Sequence, residues 1–171
     1  PLIAISTLTS LAHAVNIDKG IKIPMLDARR LEVYAAIFDN ENNLWIGCEG
    51  DGVSQVISAK FQAYDNSLGL KNNQVSTLLI DHNNHLWVGG KSELDLLLMN
   101  EKSFNKIIHV SNLFDFKLNN LRCVFEDNNN NIWLGTSDGV YIIDELFRVV
   151  RHLTIEDGIS DNYTIFSFLI I

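Results

Sequence analysis

The chain has 171 residues, 47% of them hydrophobic, and a formal net charge of −8. That is enough apolar material for a core, and a length suited to one domain or part of one. The acidic balance, with no cluster of Lys or Arg, excludes a basic footprint for nucleic acid, and no run reaches the roughly 18 apolar residues of a membrane span.

The first stretch, LIAISTLTSLAHA (2–14), is apolar or small and ends in Ala-His-Ala. Residues 1–14 therefore have two readings: the remnant of a secretory signal whose charged start is missing, or an ordinary buried strand or helix. Pro1 is not a start residue, so the chain is expected to be processed or truncated. Residues 15–31 form a lead-in of unassigned structure. A weak helical period shows only around residues 24–34.

From residue 32 the chain repeats itself. DNENNLWIG begins at Asp39, DHNNHLWVG at Asp81 and DNNNNIWLG at Asp127. Trp45, Trp87 and Trp133 lie 42 and 46 residues apart, each six after an Asp and two before Gly47, Gly89 or Gly135. VYAAIFD, VSTLLID and LRCVFED precede these cores. GVSQVI, LDLLLM and GVYIID follow them, and then a segment opening on Phe61, Phe104 or Phe147. Short β-branched and aromatic runs bounded by Gly, Asn, Asp and Ser read as strands, four to a unit, here named a to d. Four strands in ~40–45 residues make one propeller blade, whose two oily faces must be covered by neighbouring blades.

The expected fold is all-β: a partial β-propeller of about three four-stranded antiparallel blades (32–74, 75–120, 121–163) plus the start of a fourth (164–171). Three blades are fewer than the four to eight that close a ring, so a fragment of a longer protein is expected. Further blades of the same chain are the partners this requires.

The run between each Asp and Trp must be a tight a–b hairpin. It needs a residue tolerating positive φ, for which Asn42, Asn84 and Asn130 are placed. The Asp side chain is expected to accept backbone N–H bonds across the turn. Asp39, Trp45, Gly47, Asp81, Trp87, Gly89, Asp127, Trp133 and Gly135 are thus read as structural. Asp127, Asn129 and Asn131 also fit positions 1, 3 and 5 of a calcium loop, but Ile132 replaces the Gly at 6 and Asp138 the Glu at 12. His82 and His85 suggest zinc still less, so no metal and no cofactor are expected. Cys48 and Cys123 have no CxxC spacing and read as buried free thiols. There is no phosphate loop, GxSxG or HExxH, and no enzyme activity is expected in this segment.

These repeats resemble the two-component regulator propeller repeat. GLKNNQVSTLLIDHNNHLWVGG and LNNLRCVFEDNNNNIWLGTSDGVYIID follow its pattern closely, with Asn where the family places the turn Gly. The resemblance implies a sensory input domain of a hybrid histidine kinase on the periplasmic or extracellular side of a bacterial inner membrane, reading a glycan or other small molecule. The alternatives behind it are the input propeller of a diguanylate cyclase, or a non-catalytic propeller for protein docking or homodimerisation. In such a blade the b–c and d–a loops share one face, and variable polar groups there are where binding chemistry gathers. Glu49, Asp51, Lys91, Glu93 and Asp138, with Asn72, Asn73, Asn119 and Asn120, are the candidate ligand contacts. Tyr141 and Trp133 could stack on a sugar, though core packing suits both.

Overall fold

The computed structural model describes residues 25–27, 33–39, 43–48, 50–57, 60–99 and 104–160. Their strands form three antiparallel meanders. The first sheet holds β1 (Met25–Asp27), β2 (Val33–Phe38), β3 (Leu44–Cys48), β4 (Gly52–Ile57) and β5 (Lys60–Tyr64). The second holds β6 (Val75–Ile80), β7 (Leu86–Gly90), β8 (Leu94–Met99) and β9 (Phe104–His109). The third holds β10 (Cys123–Glu126), β11 (Ile132–Thr136), β12 (Gly139–Ile143) and β13 (Val149–Leu153). The fold is the all-β array of blade-like sheets expected from the repeat. Residues 1–14 and 164–171, with their readings as a signal remnant and an opening blade, lie outside the described residues.

Two elements differ from expectation. The weak helical period near residues 24–34 does not prevail: Met25–Asp27 pairs with β2, Met25 opposite Ala35 and Asp27 opposite Val33, and the first sheet gains a fifth strand. Strand β2 would otherwise be a free edge, and extended pairing satisfies its backbone groups. Phe147, expected to open strand d, instead sits in the turn before β13 with φ 60°.

The sheets cohere as the repeat requires. Each Trp lies opposite the residue two before its Asp: Ile37 with Trp45, Leu79 with Trp87, Phe125 with Trp133. Side chains alternate across the second sheet with the period of two that a strand dictates. Leu78, Ile80, Leu86 and Val88 pack with Ile37, Trp45, Val53 and Tyr64 of the first sheet. Leu79, Trp87 and Leu96, from the intervening positions, pack with Leu121, Val124, Ile132 and Leu134 of the third. The core is therefore two layers between three sheets. Trp45 and Trp87 are buried in those layers, while Trp133, on the far side of the last sheet, is half-buried.

The repeated glycine sits where strand b meets the next sheet. A Cβ on Gly47 would stand 2.8 Å from Val75 Cγ1, and one on Gly89 would stand 2.4 Å from Thr77 Cγ2 and 2.9 Å from Leu121 Cδ2. Only a residue without a side chain lets strand b come this close.

Candidate functional site

The acidic hairpins are latches. In each unit the Trp indole Nε1–H donates to the Asp Oδ2, at 3.0 Å for Trp45–Asp39, 3.0 Å for Trp87–Asp81 and 2.9 Å for Trp133–Asp127. The other oxygen accepts backbone N–H groups across the turn, from Asn43 at 2.8 Å, His85 at 2.8 Å and Asn131 at 2.9 Å. Asn84 (φ 61°) and Asn130 (φ 62°) occupy the left-handed position, while Asn42 lies outside the described residues. The Asp127 lone pairs that a calcium ion would need thus receive the Trp133 indole, the Asn129 and Asn131 backbones and the Asn131 amide. Burial pushes the Asp127 carboxyl up, but these hydrogen bonds outweigh it and hold it below its ordinary value. Among the described residues no group of three His, Cys, Asp or Glu could hold a metal. Cys48 and Cys123 form no disulfide and are half-buried, less sequestered than expected, and burial raises the Cys48 thiol.

On the opposite face the b–c turns are tied to the d–a connectors through main-chain bonds. Gly50 N and Gly52 N both donate to Asn73 O, at 3.1 and 2.9 Å. Leu121 N donates to Lys91 O, and Ser137 N to Asn119 O, each at 3.0 Å. The candidate contacts are therefore brought together in groups. Asp51 is exposed beside Asn72 and Asn73, whose side-chain oxygens accept from Gln74 N and Asn66 N. Asn119 donates its amide to Asp138, and Asn120 adopts φ 52° in the same connector. Lys91 is exposed and enters through its backbone. Glu49 lies outside the described residues.

Glu93 alone of the candidate contacts lines a groove on this face. The groove, about 310 Å³, is bounded by the b–c turn of the second sheet and the connector between β9 and β10. Glu93 Oε2 accepts from Ser111 Oγ at 2.8 Å and meets Lys71 Nζ at 3.3 Å; Lys71 also donates to the Asn112 side chain. Asp115 and Lys117 lie on the same wall, so the formal charges of the lining cancel. Below the rim, Asp95 is only 2% exposed, and it anchors the floor by accepting from Lys71 N at 2.9 Å and meeting His109 Nδ1 at 2.7 Å.

The remaining wall is aromatic. Phe114 stacks on Phe116 (5.0 Å between centroids), Phe116 on Tyr141 (4.2 Å) and Tyr141 on His152 (3.9 Å, 4° between planes). His152 Nε2–H donates to Asp138 O at 2.8 Å, which fixes the end of the column. Both faces of Tyr141 are occupied, so it cannot offer one to a sugar; Phe114 and Phe116, which line the groove, were not singled out by sequence. A signal existed. The connector before β6 has ten residues (65–74) and the one before β10 has thirteen (110–122), most of the difference between the two Trp spacings. Asp65–Gly69 and Thr154–Gly158 each form a capped 3-10 turn closed by a glycine at φ 103° or 95°, whereas the longer connector lacks glycine and carries Phe-Asp-Phe instead.

Residues 69–92 and 115–138 each match the family model described as two component regulator propeller. No curated protein matches the sequence. Among solved structures, the chain is similar to the extracellular domain assigned to a hybrid two component system of B. thetaiotaomicron, with a TM-score of 0.59 and 20% identity over 81% of this chain and 23% of that one. It is also similar to PorZ, a bacterial surface component of the type-IX secretion system of Porphyromonas gingivalis, with a TM-score of 0.51 and 11% identity over 82% of this chain and 28% of that one. The chain thus spans about a quarter of the length of the structures it matches, and at these identities the likeness is one of fold. It carries two-component regulator propeller repeats and folds as an array of propeller blades.

Proposed function

We propose that these blades are part of a non-catalytic sensory input unit of a two-component signalling protein, facing the periplasm or the cell exterior and reading a glycan or another uncharged small molecule. The observation that carries this reading is the groove walled by Phe114 and Phe116 and rimmed by Glu93, Ser111 and Asn112. Sugars present flat patches of C–H groups and a periphery of hydroxyls. An aromatic wall suits the former and a mixture of carboxylate, hydroxyl and amide groups suits the latter. Because the lining charges cancel, a neutral polyhydroxylated ligand fits better than an ion. The groove is at the small end of the usual range for ligand pockets and would take a terminal mono- or disaccharide unit.

Calorimetric titration of the full chain with a panel of neutral oligosaccharides tests this. Binding of at least one member is expected, lost in Phe114→Ala and weakened about tenfold in Glu93→Gln, which removes a charge-assisted hydrogen bond at the rim. Heat equal to dilution across the whole panel removes the reading and leaves a docking surface as the better one.

A further inference from the structure

Two connectors distant in sequence meet at the rim of the groove. Lys71 belongs to the one before β6, while Ser111 and Asn112 belong to the short 3-10 turn after β9. One carboxylate clamps both from below. Asp95, only 2% exposed, accepts from Lys71 N on Oδ2 at 2.9 Å and meets His109 Nδ1 with Oδ1 at 2.7 Å, and His109 stands two residues before Ser111.

A surface lysine normally rotates freely, but this one is held at both ends. Its Nζ lies 3.3 Å from Glu93 Oε2 and donates to Asn112 Oδ1. Ser111 Oγ–H donates to the same Glu93 oxygen at 2.8 Å. Among the described residues these contacts leave a defined set of groups without partners: one Lys71 ammonium proton, the Glu93 Oε1 lone pairs and the Asn112 amide N–H groups. A charged donor and a charged acceptor are thus presented next to one another beside the Phe114 ring. Asp115 and Lys117, on the same wall, have no hydrogen bond or ion pair among the described residues, so a ligand would have to order them first.

We propose that the Lys71–Glu93 pair reads a vicinal diol. One hydroxyl donates to Glu93 Oε1, its neighbour accepts from Lys71 Nζ, and the C–H face of the ring that carries them lies against Phe114. This rests on the reading of the groove as a sugar site, and narrows it to pyranose units that display adjacent gauche hydroxyls. Such hydroxyls stand about one hydrogen-bond length apart, which suits a pair whose nearest atoms are 3.3 Å apart. Neighbouring diaxial hydroxyls point in opposite directions and cannot reach both partners, and hydroxyls on distant carbons cannot either. Because a hydroxyl both donates and accepts, a diol gains two charge-assisted bonds while staying neutral. An anion would satisfy Lys71 and be repelled by Glu93.

The experiment uses the full chain and two isomers of cyclohexanediol, one with adjacent equatorial hydroxyls and one with hydroxyls at opposite ends of the ring. Proton–nitrogen NMR follows the Ser111 and Asn112 backbone amides during titration. Saturable shifts are expected with the adjacent isomer, at a Kd about tenfold below that of the opposite isomer. Lys71→Met keeps the aliphatic stem and the backbone N–H held by Asp95 but loses the ammonium. It should bind the two isomers equally while keeping the amide dispersion of the parent. Equal affinity of the parent for both isomers, selectivity undiminished in Lys71→Met, or no response to either isomer would each overturn the proposal. The oligosaccharide calorimetry separates this from the broader reading. Heat from that panel without isomer preference here leaves a sugar groove that does not read diols through this pair, whereas no heat from the panel removes the reading on which the proposal rests.

Discussion

Removing one member of an Asp–Trp latch should destabilise the array by more than a surface hydrogen bond, and the two members should not act independently. Asp81 is 7% exposed and Trp87 3% exposed. Asp81→Ala leaves the indole N–H without its acceptor in a dry layer, a loss of about 1–3 kcal/mol. It also releases the Asn83 and His85 backbone N–H groups, bonded at 3.0 and 2.8 Å, but these lie at the turn surface and rehydrate, adding about 0.5 kcal/mol each. The total is about 3 kcal/mol. Trp87→Phe trims the ring and removes the donor, for about 2 kcal/mol. Because the indole bond is lost in either single variant, the double variant should lose about 3.5 rather than about 5 kcal/mol, a coupling of about 1.5 kcal/mol. Urea unfolding of the four proteins, followed by near-ultraviolet circular dichroism, measures the cycle. Additivity within about 0.5 kcal/mol would mean that the 3.0 Å contact does not hold the hairpin to the sheet. The same cycle on Asp127 and Trp133, both only half-buried, should give a coupling below about 1 kcal/mol, since water replaces the lost partner there.

Gly89→Ala should destabilise by about 1–3 kcal/mol, because the new methyl meets Thr77 and Leu121 at the junction of two sheets; a melting temperature equal to the parent's would contradict that contact. Asn84→Gly should be neutral or slightly stabilising and Asn84→Ala destabilising by about 1 kcal/mol, as read by thermal unfolding, since φ 61° suits Gly and strains Ala. Acid should unfold the array progressively. Asp127 is depressed by its turn bonds despite burial, and Asp144 by Arg148, so both contribute above the ordinary 3.8, and the contribution fades as pH falls through their lowered folded values. A stability curve flat from pH 5 to pH 2 would refute this. His82 runs the other way. Its hydrogen bond to Glu126 raises it above the ordinary 6.5 against the opposing effect of desolvation, with Glu126, Asp81 and Glu145 adding attraction. The tie between the second and third sheets is therefore full below pH 6.5 and declines as pH rises through the raised value, and His82→Gln should flatten that decline in the stability profile.

The repeat made the scaffold readable. One Asp-to-Trp interval would be ambiguous, but three in register fix a hairpin, its left-handed Asn and the glycine two beyond the Trp. What single residues could not disclose was the partner of each side chain. The Asp was expected to bond the backbone, and the indole N–H on its second oxygen follows only once strands a and b are paired in the observed register. Met25–Asp27 was missed because its short run carries no period of its own, and pairing with β2 decides its shape. Phe147 was misplaced because an aromatic normally opens a strand, and only the Asp144 turn explains a phenylalanine with positive φ. The groove was half visible. Glu93 was named from the turn, but Phe114 and Phe116 are irregular connector residues, and their convergence with Tyr141 depends on a sheet distant in sequence.

The neighbouring turns Gly50–Asn73, Lys91–Leu121 and Ser137–Asn119 are each joined by main-chain bonds, to which the Ser137 hydroxyl and the Asn119 amide add side-chain bonds at the third. Peptide groups are the same whatever residue carries them. Substitution at 51, 91 or 119 can therefore redraw the chemistry displayed on that rim while the stitching beneath it stays intact. Point changes there alter the side chains on display with no redesign of the sheets that present them.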